Sequence, residues 1–218
     1  MKDLRAVRGT YYIHKLIAEG EHEHQDFKFA ISDARKIARS ISAFANNDGG
    51  RLLVGVKDNG TIAGVRNEED IYVIEQAASM FCRPEQPIRV TAYRVDGGAI
   101  VFQVEIARAE KRPVEVREED GVWKAYFRVA DENIAAPPFM TRAWSARNKR
   151  SGFLLSLTGP ERVLLEALEA GEALTPADFA RRARITVNRA VELIAHLHAL
   201  DLVDFRYGPG GFKTISRQ

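Results

Sequence analysis

Apolar and polar residues follow two different periods along this chain, and the alternation of the two periods predicts a mixed α+β fold. Residues 10–19 and 32–46 carry helical spacing, and the second stretch places its apolar residues on one face and most of its charges on the other. That apolar face is expected to pack on a sheet. A further stretch, residues 68–82, is again helical in its spacing.

Short runs rich in apolar residues between these stretches predict strands. The predicted strands cover residues 52–56, 61–65, 88–95, 100–106 and 123–129. Asp58-Asn59-Gly60 and Asp96-Gly97-Gly98 are turn-forming sequences, and each is expected to join two strands into a hairpin. Tight hairpins mixed with helices indicate an α+β domain that ends near residue 135.

Residues 136–157 differ in character and are predicted to be a basic linker. Pro137 and Pro138 stand near the start of this stretch, and the basic residues that follow have no opposing carboxylate. These residues are Arg142, Arg147, Lys149 and Arg150. Two interpretations remain open: a solvated connector between domains, or a segment that contacts a nucleic-acid strand.

The C-terminal part of the chain predicts three helices and a hairpin. Thr158 and Glu161 form a capping-box pattern, and Thr175 and Thr186 are placed as N-caps of two further helices. Two strands then flank a glycine-rich turn. This order resembles a winged helix-turn-helix domain with the third helix in the recognition position, whereas hydrophobic spacing alone gives only a small helical domain.

Candidate nucleic-acid contacts cluster at one end of this C-terminal domain. Asn188 and Arg189 lie in the first turn of the third helix, where a recognition helix reaches base edges. Asn188 can pair with adenine and Arg189 with guanine, each through two hydrogen bonds. Phosphate contacts are expected from the flanking cations, namely Arg181, Arg182, Arg184, Arg206, Lys213 and Arg217. The alternative is a helical dimerisation or protein-interaction domain with solvated arginines.

Composition changes this picture little. The 218 residues include 32 Lys and Arg against 30 Asp and Glu, so the formal charge of +2 does not identify a nucleic-acid binder and any basic surface must be local. No apolar run approaches the roughly 18 residues of a membrane span. The N-terminal residues lack the apolar segment of a secretory signal, so a cytoplasmic protein is expected. Cys82 is the single cysteine, which excludes an internal disulfide.

Several short motifs in the first domain occur in an order that suggests a family. They are Glu21, Asp26-Phe27-Lys28, Ala43-Phe44-Ala45-Asn46, Gly49-Gly50, Gly55-Val56-Lys57-Asp58 and Tyr126-Phe127-Arg128. In this order they resemble the Schlafen AlbA-2 domain over most of residues 10–135. The resemblance implies an AlbA-2-like fold and nucleic-acid binding, with Lys28 and Arg128 as contacts to the phosphate backbone; a structural salt bridge is the alternative for each. Ala130 stands where the family motif ends in glycine.

Three acids in this domain give a second hypothesis. In nuclease members of the Schlafen family, acids at matching places bind a divalent metal, and Glu21, Asp26 and Asp58 stand there in this chain. Carboxylate oxygens suit Mg²⁺ or Mn²⁺, which could activate water beside a scissile phosphate. The resemblance therefore permits a metal-dependent RNase or DNase. Asp58 is explained equally well as a turn residue beside Asn59 and Gly60.

Neither a transition-metal site nor an ATP site is predicted. His22 and His24 would lie on one side of an extended strand, but no third ligand is evident. Gly50 and Gly55 have the glycine spacing of a P-loop, but Val56 follows where that motif needs lysine.

The sequence thus predicts a nucleic-acid-binding protein with an AlbA-2-like domain over residues 1–135, a linker over 136–157 and a winged helix-turn-helix over 158–218. A DNA-binding transcriptional regulator is the leading interpretation. Binding would need no cofactor, and reading of a palindromic site in double-stranded DNA would require a homodimer. A metal-dependent nuclease and a protein-interaction adaptor remain the alternatives.

Overall fold

The computed structural model describes residues 5–31, 33–65, 69–148 and 159–217. The chain divides into two compact units at residue 135, with residues 111–113 grouped with the second unit. Across these described parts, no helix combines the length and the apolar character needed to cross a bilayer.

The first unit mixes helices with two sheets, which confirms the predicted α+β class. Its helices are α1 (Thr10–Glu19), α2 (Ala34–Asn46) and α3 (Asp70–Met80). Its strands are β1 (Val7–Arg8), β2 (Gln25–Lys28), β3 (Gly50–Val54), β4 (Cys82–Arg83), β5 (Ile88–Arg94), β6 (Ile100–Ile106), β7 (Glu115–Arg117), β8 (Trp123–Val129) and β9 (Glu132–Ala135). The larger sheet has the order β1-β5-β6-β3-β2, and the smaller sheet has the order β4-β7-β8-β9.

Helix α2 is the centre of this unit because its apolar face belongs to the main core. Ile41 and Phe44 of α2 are fully buried and pack with Leu52 and Val104 of the larger sheet. Phe44 also requires a glycine beneath it, since a Cβ at Gly50 would lie 2.3 Å from its ring. The apolar face of this helix therefore packs on the sheet, as its amphipathic pattern predicted.

The end of α2 is tied to the smaller sheet by two side-chain amides, of which that of Asn46 is fully buried. Asn46 Nδ2 donates to the carbonyl oxygens of Val114 at 2.9 Å and Tyr126 at 2.8 Å, and its Oδ1 accepts from the Val114 N–H at 2.8 Å. Asn47 pairs in the same two-sided way with the backbone of Arg128. The family motif that ends at Asn46 therefore has a structural role, because it satisfies backbone groups that neighbouring strands leave unpaired.

The hairpin predicted after β3 is shorter than expected. Instead of a strand at 61–65, the structure has a single bridge between Val56 and Ile62. The N–H groups of Ala63 and Gly64 both donate to the Gly55 carbonyl at 2.9 Å, which turns this segment away from β3. Gly55 has a φ of +94°, a conformation that a β-branched or bulky residue rarely adopts.

The second unit contains four helices and a hairpin within its described residues. They are α4 (Pro138–Arg147), α5 (Gly159–Glu169), α6 (Pro176–Ala183), α7 (Val187–Ala199), β10 (Val203–Gly208) and β11 (Gly211–Ser216). Thr175 caps α6 in a reciprocal capping box with Asp178, and Thr186 caps α7, as the sequence predicted. A single bridge joins Leu174 to Thr214 of the hairpin. The predicted cap Thr158 lies outside the described residues.

Helix α4 occupies part of the stretch that was predicted to be a linker, and this corrects the prediction for residues 138–147. Pro138 starts the helix at a position where its missing N–H costs nothing. Met140, Ala143 and Trp144 lie at helical spacing and are buried. The linker prediction was based on the basic residues on the other side of α4, and it did not take this apolar spacing into account.

Candidate functional site

A buried ionic cluster lies where β2 meets α2 and β8. The carboxylate of Asp26 is centred in it: Oδ2 lies 2.7 Å from Lys28 Nζ and accepts from Ser40 Oγ at 3.2 Å. Oδ1 lies 3.5 Å from Nη2 of Arg128. The side chains of Asp26 and Arg128 are only 4% and 2% exposed, so these two charges neutralise each other away from water.

Arg128 is fixed on every side. Its Nη1 donates to Asn133 Oδ1 at 3.0 Å and its Nη2 to the Gln25 carbonyl at 3.3 Å, while the guanidinium lies 5.3 Å from the centre of the Phe44 ring. The structure therefore contradicts the predicted phosphate contact of Arg128 and supports the alternative of a structural salt bridge. Lys28 also pairs with Asp26, but its side chain is 30% exposed.

Glu21 and Asp26 titrate as neighbours in this cluster. Burial raises the pKa of Glu21, and its hydrogen bond to Asp26 raises this pKa further. The hydrogen bond of 2.8 Å that Glu21 accepts from the Phe27 N–H lowers the pKa, but it does not outweigh these effects. Burial also raises the pKa of Asp26, but the hydrogen bond with Glu21 and the charges of Lys28 and Arg128 outweigh burial, so the net pKa is lowered. Of the two carboxyl groups, Glu21 is therefore the one that takes up a proton first as the pH falls, and Asp26 keeps its negative charge longer.

The acid triad of the nuclease hypothesis is not assembled. Glu21 and Asp26 are together, but Asp58 is exposed in the turn that follows β3. Within the described ranges, no three His, Cys, Asp or Glu side chains are grouped so that they could hold a metal ion. Asp26 is also already paired with two cations, and the turn explanation of Asp58 accounts for its position.

The two histidines next to this cluster lie in a turn rather than along an extended strand. The backbone N–H of His24 donates to Nδ1 of His22 at 3.2 Å, and the His24 ring is bonded to the Gly49 carbonyl at 3.0 Å. Their ring centres are 6.1 Å apart in an edge-on arrangement.

The exposed start of α7 forms a second candidate site, in the second unit. Arg184 ends α6 with a φ of 55°, in the left-handed region, and this sharp reversal brings the cap Thr186 directly before α7. Asn188 and Arg189 follow in the first turn and are both exposed. Arg189 makes an exposed ion pair with Glu192 at 3.2 Å. The described geometry therefore presents an amide and a guanidinium to solvent at a helix N-terminus.

The basic residues around α7 fall into two groups. Several are already paired with carboxylates: Arg182 donates two hydrogen bonds of 2.9 Å to Glu172, and Arg147 pairs with Asp201 at 2.7 Å. In contrast, the side chains of Arg184, Arg206 and Lys213 have no carboxylate or hydrogen-bond partner in the part of the chain that the structure describes. Lys149 and Arg150, two further predicted contacts, lie outside the described residues.

The sequence did not reveal the polar partners of the ionic cluster. Ser40 and Asn133 are joined by a hydrogen bond of 3.0 Å and contact Asp26 and Arg128 respectively. A signal for Ser40 was present, since Ser40 and Ser42 are polar residues on the otherwise apolar face of α2. Asn133 carried no comparable signal, because its role depends on how β9 folds back on β8.

Comparison with known proteins gives a family match and several similar solved structures, two of which follow. The family model described as Schlafen, AlbA_2 matches residues 21–137, which is more than half of the chain. The DIP2311 protein from Corynebacterium diphtheriae is 20% identical, with a TM-score of 0.47; the match covers 89% of this chain but only 34% of that chain. The N-terminal domain of an ATP-dependent DNA helicase RecG-related protein from Nitrosomonas europaea is 16% identical, with a TM-score of 0.43, and the match covers 70% of this chain and 99% of that domain. The comparison with curated proteins gave no match.

Proposed function

The chain belongs to the Schlafen AlbA_2 family, and from this premise we propose that it binds nucleic acid and acts as a DNA-binding transcriptional regulator. In this proposal the second unit is a winged helix-turn-helix that reads double-stranded DNA. The first unit then serves as a platform that contacts the nucleic-acid backbone or senses a ligand.

The observation that carries this proposal is the exposed start of α7. In a helix-turn-helix, the second helix of the motif enters the major groove and its N-terminal residues contact base edges. Helices α6 and α7 are joined by a tight turn at Arg184, and Asn188 is exposed beyond it without an internal partner in the described structure. A free amide at this position suits the N6 and N7 atoms of adenine.

The hairpin supports the same interpretation. Arg206 of β10 and Lys213 of β11 are paired in register, so their side chains lie side by side on the hairpin. Neither is neutralised by a carboxylate within the residues described, and adjacent unpaired cations suit phosphate groups. The hairpin would therefore act as the wing that contacts the backbone beside the groove occupied by α7.

Two further parts of the proposal concern the first unit and the assembly. Lys28 remains a candidate backbone contact because part of its side chain reaches solvent, although its pairing with Asp26 reduces the charge it can offer. If the DNA site is palindromic, two copies of the chain would bind its half-sites with two-fold symmetry.

The test is a binding titration of the full chain with fluorescent duplex DNA, single-stranded DNA and structured RNA at two salt concentrations. We expect duplex binding that weakens with salt, and a loss of about 10-fold in affinity for a selected duplex in Asn188→Ala and in Arg189→Ala. Arg162→Ala is the matched control, because Arg162 is an exposed arginine on α5. Absence of binding to all three nucleic acids would refute the proposal, and equal losses in Arg162→Ala and Arg189→Ala would refute the role of α7.

A further inference from the structure

The outer face of the larger sheet is covered by α1 over only part of its area. Ile13 and Leu16 of α1 pack on an apolar patch there. Beyond this patch, the strand register places Arg51, Glu105 and Arg89 side by side on β3, β6 and β5. A cleft of about 640 Å³ opens over this row, a size that suits a nucleotide.

The floor of the cleft carries polar groups that the protein itself does not use. Gln103 lies two residues before Glu105 on the same face of β6, and it is only 4% exposed. Among the described residues its amide has no hydrogen-bond partner, and neither Glu105 nor Arg89 forms an ion pair. The Gln103 amide therefore faces the cleft without a bond to any described residue, and it is available to hydrogen-bond a ligand there.

Arg51 differs from these three because it is already held in place. Its Nε donates to Gln25 Oε1 at 2.6 Å, and its guanidinium also pairs with Glu19. Gln25 in turn donates to the carbonyl oxygens of Leu16 and Gly20 at the end of α1. On the side of the cleft next to β3, the guanidinium of Arg51 is therefore held in place and its charge is paired. The side formed by β5 and β6 is the one that offers unpaired polar side chains.

Aromatic rings line the same cleft. Tyr12 of α1 packs against Tyr93 with ring centres 5.2 Å apart, and it keeps 38% of its surface exposed. His24 also lines the cleft, and its ring is anchored to the Gly49 carbonyl. Exposed, anchored rings beside polar groups suit a planar heterocycle that can stack on one face and form hydrogen bonds at its edge.

The free groups favour one heterocycle. An ionised carboxylate such as Glu105 accepts hydrogen bonds and donates none, so its partner must present adjacent N–H groups. The Watson–Crick edge of guanine has two such donors, N1–H and the N2 amino group, next to the O6 acceptor that an amide or guanidinium can reach. Adenine would instead place the lone pair of its N1 against the carboxylate. We propose that the first unit binds a guanine base, with Glu105 on its N–H donors, Gln103 or Arg89 on O6, and Tyr12 stacked on the ring.

This site deepens the proposed function and rests on it where the base belongs to a nucleic-acid strand. A free guanine nucleotide offers the same chemistry, and in that case the cleft senses a small molecule. The base-recognition groups are identical for the two sources, so the experiment must compare them directly.

The test measures calorimetric binding of guanosine, inosine and adenosine 5′-monophosphates to the full chain. Inosine lacks the N2 amino group, so we expect guanosine monophosphate to bind best, inosine monophosphate more weakly and adenosine monophosphate at least about 10-fold more weakly than guanosine monophosphate. Glu105→Gln is expected to remove this preference. Glu110→Gln is the matched control, because Glu110 is an exposed acid of the same unit outside the cleft.

A second arm uses single-stranded oligothymidine with and without one central guanine. A guanine preference in the oligonucleotide that is lost in Glu105→Gln assigns the site to a strand, and selectivity confined to the mononucleotides assigns it to a free nucleotide. Gln103→Met is a second variant: it should weaken guanosine monophosphate binding while the protein remains folded, because the substitution keeps a similar side-chain length and removes no hydrogen bond to a described residue.

The inference is overturned if guanine and adenine bind equally, or if neither mononucleotide binds at millimolar concentration and the central guanine has no effect. These results can be separated from failure of the proposed function, which is read from duplex binding and its loss in Asn188→Ala. Selective guanine binding without any duplex binding would support the cleft and refute the regulator.

Discussion

Asp26 and Arg128 form a buried ion pair that links the two sheets of the first unit, with Arg128 Nη2 3.5 Å from Asp26 Oδ1. Asp26 belongs to β2 of the larger sheet and Arg128 to β8 of the smaller sheet. Two of the motifs that suggested the family therefore meet inside the protein. Their shared role is to join the two sheets of the first unit.

The first prediction concerns this pair. Asp26→Asn removes a charge and leaves Arg128 buried with only neutral partners, so the free energy of unfolding should fall by about 3 kcal/mol. Urea denaturation can follow the first unit through Trp123 in a Trp144→Phe background, since the chain has two tryptophans and these lie in different units.

Asp58→Asn is the control for this measurement. Asp58 is exposed in a turn, so its substitution should change the free energy of unfolding by less than about 0.5 kcal/mol. If Asp26→Asn proved as harmless as Asp58→Asn, the ion pair would not stabilise the unit.

The second prediction is a pH dependence that originates at Glu21. The pKa of Glu21 in the folded state is raised above its ordinary value of 4.5. As the pH rises above 4.5, the unfolded chain therefore loses the Glu21 proton before the folded protein does. The free energy of unfolding falls as the pH rises through the folded pKa. Glu21→Gln keeps an oxygen for the Phe27 N–H and an N–H for Asp26, but it does not titrate. We expect the variant to gain stability relative to the native protein from pH 4.5 to 7, measured by urea denaturation. Parallel pH curves for the native protein and Glu21→Gln would contradict a raised pKa of Glu21.

These two predictions show which features the sequence could and could not supply. The helical and strand periods were enough to locate α1, α2, β5 and β6, because each is set by residues close together in the chain. The partner of Arg128 was not predictable in this way, because Asp26 and Arg128 are far apart in sequence and only the sheet order brings them together. A basic residue in a family motif therefore looked like a surface contact until its burial was known.

The same limit explains the cleft and the linker. Gln103 and Glu105 alternate with apolar residues on β6, so the sequence predicted a polar face, but whether α1 covers that face depends on tertiary packing. In α4, the spacing of Met140 and Trp144 was compatible with a helix, but the surrounding basic residues and the two prolines favoured a linker. Charge composition was a weaker guide there than apolar spacing.

The third prediction concerns His198, which is 1% exposed in the second unit. Its Nδ1 is bonded to the Val203 carbonyl at 3.0 Å, its ring stacks on Phe205, and its Nε2 is buried without a partner in the described structure. Burial lowers the pKa of His198. The unfolded chain then takes up a proton below pH 6.5 before the folded state does, so stability should fall as the pH drops below that value.

For one group this loss is at most about 1.4 kcal/mol per pH unit. It can be measured between pH 7 and 5 through Trp144 in a Trp123→Phe background. His198→Gln can still donate to the Val203 carbonyl but does not titrate, so its pH dependence should be flatter. An equally steep curve in the variant would assign the acid sensitivity to other groups.

The fourth prediction concerns Ala130, which follows β8 where the family motif has glycine. Ala130 has a φ of 51° in the two-residue turn between β8 and β9, so the chain keeps a left-handed backbone without the residue best suited to it. Ala130→Gly should raise the free energy of unfolding by about 0.5 to 1 kcal/mol, after allowance for the greater freedom of glycine in the unfolded chain. Ala107→Gly, at an exposed position without positive φ, should be neutral or destabilising. A loss of stability in Ala130→Gly would show that the turn does not strain this residue.

The last prediction separates free from internally paired arginines at the proposed DNA surface. The guanidinium of Arg184 has no partner within the described residues, whereas that of Arg182 donates two hydrogen bonds to Glu172. A phosphate contact made by Arg184 would release counterions, so Arg184→Ala should reduce the slope of log K against log salt by about 1. Arg182→Ala should change the slope less, because Glu172 already neutralises that charge. The measurement is a duplex-binding titration over a series of salt concentrations, with Arg162→Ala as the control. Equal slope changes in Arg182→Ala and Arg184→Ala would mean that internal pairing does not decide which arginines contact the DNA.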